Sequence, residues 1–332
     1  MSKLTRRQLP ALAAGVLAAP ALANQALAQA QAFPSRPINV IVPFAAGGPT
    51  DTVARLLGEA MGRDLGTTVV VENVGGAGGT LGAQRAAAAR PDGYTLLVHH
   101  IGMSTIPTLY RRLAYDAING FETLGMITEV PMTIVGKRNI AANNLAELVA
   151  LVRRDRDKIN LANAGVGAAS HLCGLLFQQA MNVPLTTVPY RGTGPAMNDL
   201  VAGTVDLMCD QTTNTTEHIR AGTIRAFAVT TNTRVASLSD VPTAIEGGLP
   251  GFEVTVWHGL YAPRGLPPEL GARLTRALQT ALRDAALIRR FADLGTEPVA
   301  QARATGAAHR AFWTGDIARW RPVIQAAGQF AD

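Results

Sequence analysis

The stretch from Ile38 to Asp51 reads INVIVPFAAGGPTD, and it sets the expectation for the fold. Its β-branched beginning predicts a buried strand at Ile38–Val42, and the periodic segment from Pro49 to Leu65 predicts a helix. Proline suits the first turn of a helix, and Asp51 suits its capping. Between strand and helix stands Gly47-Gly48, where the missing side chains let a backbone approach a ligand closely. The stretch therefore predicts a β–α unit with a binding loop.

The same order recurs along the chain. Further strands are predicted at residues 67–72, 94–98, 159–162, 187–189, 205–208, 225–229 and 253–261. Further helices are predicted at residues 81–89, 147–156, 170–181, 194–202, 267–283, 286–294 and 305–325. Alternating strands and helices predict parallel sheets with right-handed crossovers. Because the pattern starts twice, we expect an α/β protein of two lobes, each a mostly parallel sheet flanked by helices.

The length of the chain also favours two lobes. Single hydrophobic cores stop growing at roughly 250–300 residues, and this chain has 332. We expect lobe 1 to comprise residues 33–133 and 254–332, and lobe 2 to comprise residues 134–253. The chain would cross between them near Val130–Val135 and Gly251–Val256, and these two crossings would form a hinge.

The N-terminus has the layout of an export signal. Lys3, Arg6 and Arg7 precede an apolar stretch at residues 9–22, and small residues follow. That order is typical of a cleaved secretory signal, and the apolar stretch is short of the roughly 20 residues that span a membrane. We expect a signal peptide at residues 1–28, with cleavage after Ala23 as the second choice and a membrane anchor as the alternative. The Arg6-Arg7 pair also fits a twin-arginine signal.

The charge of the chain excludes one class of partner. The full sequence has 30 Lys and Arg against 24 Asp and Glu. Without residues 1–28 the basic count is 27, and the net charge falls to +3. Nucleic-acid binders carry a basic stripe, which this sequence lacks, so we expect no nucleic-acid partner. Its two cysteines, Cys173 and Cys209, are either buried thiols or one disulfide.

Four glycine-rich stretches follow predicted strands. They lie at residues 43–51, 73–80, 163–170 and 190–195. Ligands of open parallel sheets sit beyond the carboxyl ends of the strands, where helices begin. Free N–H groups at a helix start attract anions. The four stretches therefore predict a cleft that binds a small anion through backbone donors.

Enzyme motifs are weak in this sequence. The first turn lacks the Gly-x-Gly-x-x-Gly spacing, residues 165–170 end in Ser, and neither a phosphate loop nor a Gly-x-Ser-x-Gly elbow is present. His99, His100 and His171 form no metal set with carboxylates. We expect no catalytic residue, metal or cofactor. The alternatives are an exported α/β hydrolase or isomerase that acts on a small acid through His99 or His171, and a binding protein that serves only as a sensor.

Several motifs carry a family resemblance. They lie at residues 43–51, 73–79, 91–96, 165–172, 188–196, 203–206, 241–243 and 251–252. In this order they resemble the periplasmic receptors of tripartite tricarboxylate transporters, the Bug proteins. The resemblance runs from about Pro37 to the C-terminus. It implies a periplasmic-binding-protein (Venus flytrap) fold, a monomer in the periplasm, and a small carboxylate solute that is handed to a membrane permease. The solute would be a di- or tricarboxylate or an aromatic carboxylate.

The loops and the resemblance together predict the ligand-binding residues. These are Phe44, Ala46, Gly47, Asp51, Gly78, His99, Gly165, Ser170, Arg191, Gly192 and Asp210. His99-His100 stands where the family commonly has small polar residues, which suggests a bulkier or aromatic solute end. Arg191 would either pair with a solute carboxylate, since guanidinium binds carboxylate in two parallel hydrogen bonds, or brace its own loop through Asp210.

Overall fold

A computed structural model of the chain describes residues 33–328, 330 and 331. The predicted signal peptide and its cleavage site lie outside the described residues. The first described elements are β1 (Ile38–Val42), α1 (Pro49–Leu65), β2 (Val69–Asn73), α2 (Thr80–Ala87), β3 (Thr95–His100) and α3 (Gly102–Leu109). The predictions of β1 and α1 are confirmed to the residue.

The elements that follow continue the alternation of strands and helices. They are β4 (Phe121–Lys137), α4 (Leu145–Asp155), β5 (Asn160–Asn163), α5 (Ala169–Met181), β6 (Thr186–Pro189), α6 (Thr193–Ala202), β7 (Leu207–Gln211), α7 (Thr212–Arg220) and β8 (Ile224–Val229). The C-terminal elements are β9 (Thr255–Pro263), α8 (Pro268–Ala281), α9 (Ala285–Asp293), β10 (Glu297–Pro298) and α10 (Gly306–Ala327). None of the described helices combines the length and the apolar character that crossing a bilayer requires.

The strands pair in the order β2-β1-β3-β9-β4-β7-β5-β6, and β8 and β10 also pair with β4. Strands β2, β1, β3 and β9 are here called the first half-sheet, and β7, β5, β6 and β8 the second half-sheet. Pairing is parallel between β1 and its two neighbours and between β5 and its two neighbours. All pairs that involve β4 or β9 are antiparallel. The α/β class is thus confirmed, and the strand directions are mixed because β4 and β9 carry the chain between the half-sheets.

Strand β4 belongs to both half-sheets. It pairs with β9 as far as Pro131, which lies opposite Thr255. From Met132 onward it pairs with β7 and β8 instead. The chain passes between the half-sheets a second time just before β9, next to β4. There the Val254 N–H donates to the Thr230 carbonyl. The half-sheets are therefore joined by one continuous strand and one adjacent segment, while the predicted lobe boundaries and hinge motion stay predictions.

Cys173 and Cys209 form a disulfide whose Cα atoms lie 6.0 Å apart. The sequence left two alternatives, buried thiols or one disulfide, and the structure shows the disulfide. It ties the first turns of α5 to the end of β7. Asp210 and Gln211 follow Cys209 in β7, and Ser170 precedes Cys173 in α5. These residues line the cleft described below, so the bridge fixes one wall of that cleft.

We expect removal of this disulfide to destabilise the protein. The bridge closes a loop with a sequence separation of 36 residues, and constraining a loop of that length stabilises the folded state by about 3–4 kcal/mol. The variant carrying both Cys173→Ala and Cys209→Ala should lose this amount in urea unfolding. As a control, a reductant should destabilise the native protein and leave the variant unchanged. An equal urea midpoint for both proteins would contradict the prediction.

Stability should also fall in acid because buried histidines stay neutral. Burial lowers the pKa of His100 and His309 to about 3 and that of His171 to about 4. It lowers the pKa of His99 and His258 well below the usual value. In the unfolded chain these histidines bind a proton below about pH 6.5. The unfolded state therefore binds protons that the folded state does not bind, and stability is lost as the pH falls from 6.5 toward 4.

The expected slope is at most about 1.4 kcal/mol per pH unit for each histidine. Burial raises the pKa of Asp210 to about 6, so this one group increases the stability as the pH falls from 6 to 4. The five histidines outnumber it. Urea unfolding at pH 7.5, 6 and 5 measures the slope. His309→Gln should reduce this slope, because it removes one of the five buried histidines. Stability that is constant across this range would show the prediction to be wrong.

Candidate functional site

The loops that follow β1, β2, β5 and β6 meet between the two half-sheets. The Ala45 N–H donates to the Arg191 carbonyl oxygen at 3.0 Å. The Tyr110 hydroxyl lies 2.7 Å from the Ala77 carbonyl oxygen and 3.0 Å from the Val166 carbonyl oxygen. The bonds from Ala45 to Arg191 and from Tyr110 to Val166 join loops of opposite half-sheets, so the cleft between the half-sheets is closed in this conformation.

A small cavity lies within this closed cleft. Its volume is about 10 Å³, which is room for about one water molecule. The first half-sheet contributes the wall from Phe44 and the start of α1. The second contributes the starts of α5 and α6 and the end of β7. The lining residues are Phe44, Gly48, Pro49, Thr50, His100, Ala164, Ala169, Ser170, Thr193, Asp210 and Gln211.

Helix starts dominate these walls. Helices α1, α5, α6 and α7 begin at or beside the cavity, and none of them has a side-chain hydrogen bond at its N-cap. Their first N–H groups have no partner inside the helix, and the helix dipole makes these ends partly positive. The arrangement favours an anion, as the glycine-rich stretches predicted.

A layer of neutral rings supports the wall on the side of the first half-sheet. His100 stacks on Phe44 with ring centroids 4.6 Å apart. Its Nδ1 accepts from the Gly102 N–H, so the proton of the neutral ring is on Nε2. His258 lies behind, 3.3 Å from the Thr50 hydroxyl through its Nε2. Burial keeps the pKa of His100 at about 3, so this wall adds polar groups and no positive charge.

Asp210 and Gln211 supply acceptors on the opposite wall. The Asp210 Oδ2 accepts from the Asn214 amide at 2.5 Å, while its Oδ1 has no hydrogen-bond partner. The Gln211 Oε1 has no partner either. Burial raises the pKa of Asp210 to about 6, against the opposing effect of Asn214, the Gln211 N–H and Thr193. The Asp210 Oδ1 thus has no direct hydrogen bond, although Thr193 and the Gln211 N–H lie near enough to the carboxylate to lower its pKa.

The structure brings four of the predicted residues to the cavity or its rim. Phe44, Ser170 and Asp210 line it. The Ser170 hydroxyl also holds its own loop, because its oxygen accepts from the Ala164 N–H at 2.9 Å. Gly192 is the N-cap of α6, and a Cβ there would lie 2.8 Å from the Ala45 nitrogen. Gly192 thus permits the contact that closes the cleft.

Other predicted residues lie behind or beside the cavity. Ala46 and Gly47 line a separate opening of about 150 Å³ next to Asn214 and His218. Gly165 and Gly78 lie against each other, since a Cβ on Gly165 would be 3.0 Å from the Gly78 nitrogen. Gly78 adopts a left-handed φ of 60° and contacts the Val166 carbonyl oxygen, where a side chain would clash. These glycines shape the closed cleft and do not line the cavity.

Asp51 braces its loop. Its carboxylate accepts from the Gly47 N–H, from Arg55 and from the Asn73 amide. Burial raises the pKa of Asp51, but these three donors outweigh it and hold the pKa below the usual value. The side chain therefore orders the loop after β1 and does not line the cavity.

His99 and Arg191 also lie away from the cavity lining. His99 is fully buried, its Nδ1 accepts from the His100 N–H, and its ring lies against Gly79. Its neighbour His100 lines the cavity instead. Arg191 is exposed, and its carbonyl, not its guanidinium, takes part in the cleft contact. The expected brace between Arg191 and Asp210 is absent, because Asp210 is held by Asn214.

Thr50, Thr193 and Gln211 line the cavity without having been predicted. Each stands within the first two residues of a helix or at its N-cap. A search for hydroxyl and amide side chains at the helix starts after predicted strands would have found them. Within residues 33–328, no three His, Cys, Asp or Glu side chains group closely enough to hold a metal ion.

Comparison with known proteins places this geometry in a family. Residues 53–329 match the family described as the tripartite tricarboxylate transporter family receptor. A UPF0065 protein of Agrobacterium vitis is 51% identical over 304 residues, which cover 91% of this chain and 88% of that protein. The solved structure of the periplasmic binding protein BugD is 48% identical with a TM-score of 0.88, and the match covers 90% of this chain and 100% of BugD.

A second solved structure is MatC from Rhodopseudomonas palustris with bound malate. It is 40% identical with a TM-score of 0.84, and the match covers 88% of this chain and 100% of MatC. These similarities exclude the enzyme alternative, since the family and its solved members are binding proteins. The chain belongs to the tripartite tricarboxylate transporter receptors, and it is a periplasmic solute-binding protein with a two-lobed α/β fold.

Proposed function

We propose that this protein captures a small carboxylate between its two lobes and delivers it to a membrane permease of the tripartite tricarboxylate type. The observation that carries the proposal is the convergence of four uncapped helix starts on one small cavity. Such ends bind anions through N–H groups and the helix dipole. The malate bound by the relative MatC supports the choice of a carboxylate.

The capture step requires the cleft to open. A cavity of about 10 Å³ is too small for a carboxylate with a carbon chain. The solute therefore enters an open form, and the lobes close on it by bending where β4 passes Pro131 and β9 begins at Thr255. Hinge motions of this kind concentrate the change in a few residues.

Delivery places the protein outside the cytoplasm. The basic, apolar and small-residue segments of residues 1–28 support export with removal of the signal, so that the mature chain begins at Gln29. We propose that it works as a monomer, without cofactor, and that its closed form is the one the permease recognises. A deletion strain that takes up the solute normally would favour the sensor alternative over transport.

A thermal-shift screen against mono-, di- and tricarboxylates and aromatic acids tests the proposed function. A true solute at 100 times its dissociation constant should stabilise the protein by about 2.7 kcal/mol. Matched amides, in which the carboxylate is replaced by a neutral group, should give no shift. If no carboxylate in the screen raises the melting temperature, the proposed function is wrong.

Tyr110→Phe should weaken solute binding by removing a bond across the cleft. The Tyr110 hydroxyl is within hydrogen-bonding distance of carbonyls on both sides, and one such bond contributes about 0.5–1.5 kcal/mol. We expect an affinity roughly two- to tenfold lower by calorimetry. Tyr115→Phe is the matched control, since that buried hydroxyl has no partner. Equal affinities for the two variants would contradict the closing role of Tyr110.

A further inference from the structure

Two acceptor oxygens on one wall of the cavity lack donors. Asp210 and Gln211 are 1% and 2% exposed, and the Asp210 Oδ1 and the Gln211 Oε1 have no hydrogen-bond partner. Both residues line the cavity. A buried polar group without a partner is costly, and an ionised one more so. A solute group that supplies donors beside these two oxygens would therefore be favoured.

The helix starts around the same cavity have the opposite chemistry. The uncapped starts of α1, on the facing wall, and of α5 and α6, on the same wall as Asp210, offer donors and partial positive charge. A carboxylate satisfies these ends, but a second bare carboxylate beside the Asp210 Oδ1 would meet another negative charge. Since both walls border the same small cavity, the acceptors lie close to the place where the carboxylate would bind.

We propose that Asp210 and Gln211 select solutes that carry a hydrogen-bond donor, a hydroxyl or an ammonium group, on a carbon next to the carboxylate. The inference rests on the proposed function, because it assumes that the solute is a carboxylate and specifies which carboxylates are bound. Hydroxy acids and amino acids share this chemistry. Bare dicarboxylates of the same carbon skeleton lack it.

The position of Asp210 supports a role in selection. Its Oδ2 is held by Asn214, and its backbone carbonyl accepts from the Thr133 hydroxyl of β4. The disulfide at Cys209 fixes the preceding residue to α5. The carboxylate therefore cannot easily turn away to find another donor. Asp210 precedes the start of α7, whose dipole helps to keep it ionised at neutral pH.

Calorimetry at pH 7.5 with matched solutes tests the inference on the full mature protein. The pairs are succinate against malate and aspartate, glutarate against 2-hydroxyglutarate, and phenylacetate against mandelate. In the series that fits the cavity, the donor-bearing member should bind about ten- to a hundredfold more tightly than its bare partner, as expected for a hydrogen bond to a charged acceptor. Malate and aspartate distinguish a hydroxyl from an ammonium donor.

Asp210→Asn should reduce this preference to about threefold or less, since it removes the charge and keeps the size of the side chain. Asp240→Asn makes the same chemical change at an exposed position of the second lobe and should leave the preference intact. If bare and donor-bearing acids bind equally well, the inference fails and the proposed function stands. If no carboxylate of either kind binds, both fail. A preference that survives in Asp210→Asn also overturns the role of Asp210.

Discussion

The pairing of β4 with both half-sheets determines where the cleft lies. Up to Pro131 the strand is hydrogen-bonded to β9, and from Met132 it is bonded to β7 and β8. Because the strand is continuous, the carboxyl ends of the parallel strands on either side are held facing one another. The Thr133 hydroxyl even donates to the backbone of Asp210. A chain that crossed through an irregular loop would leave the two walls free to slide.

Contact between the walls depends on backbone meeting backbone. At Gly78 a side chain would clash with the Val166 carbonyl, and at Gly192 it would crowd the Ala45 nitrogen. The close approach leaves the helix starts beside the cavity without side-chain caps, so their N–H groups remain available to a solute. The same closeness excludes water from Asp210 and raises its pKa to about 6. The proposed anion binding and the proposed selection among anions thus rest on one geometry.

Local sequence determined most of the regular elements. β1 and α1 were predictable because their signals, a β-branched run and a periodic segment opened by proline, act over neighbouring residues. Besides the two-residue β10, three elements were missed for physical reasons. Gly125 and Pro131 interrupt the strand pattern of β4, Pro107 interrupts α3, and the threonines of α7 have low helix propensity. Tertiary pairing and packing stabilise these three despite their local signals.

The sequence also determined that glycine-rich loops precede the helix starts, because both features are set within one β–α unit. Which side chains reach the cavity was decided only by the tertiary structure. His100 lines the cavity while its neighbour His99 is buried behind it, and Arg191 is exposed although it stands beside Gly192. The direction in which a side chain points at such junctions depends on how the two half-sheets close on each other, through contacts such as that of Ala45 with Arg191, which lie more than a hundred residues apart in the sequence. That relation comes from long-range pairing through β4, which no local pattern in the sequence records.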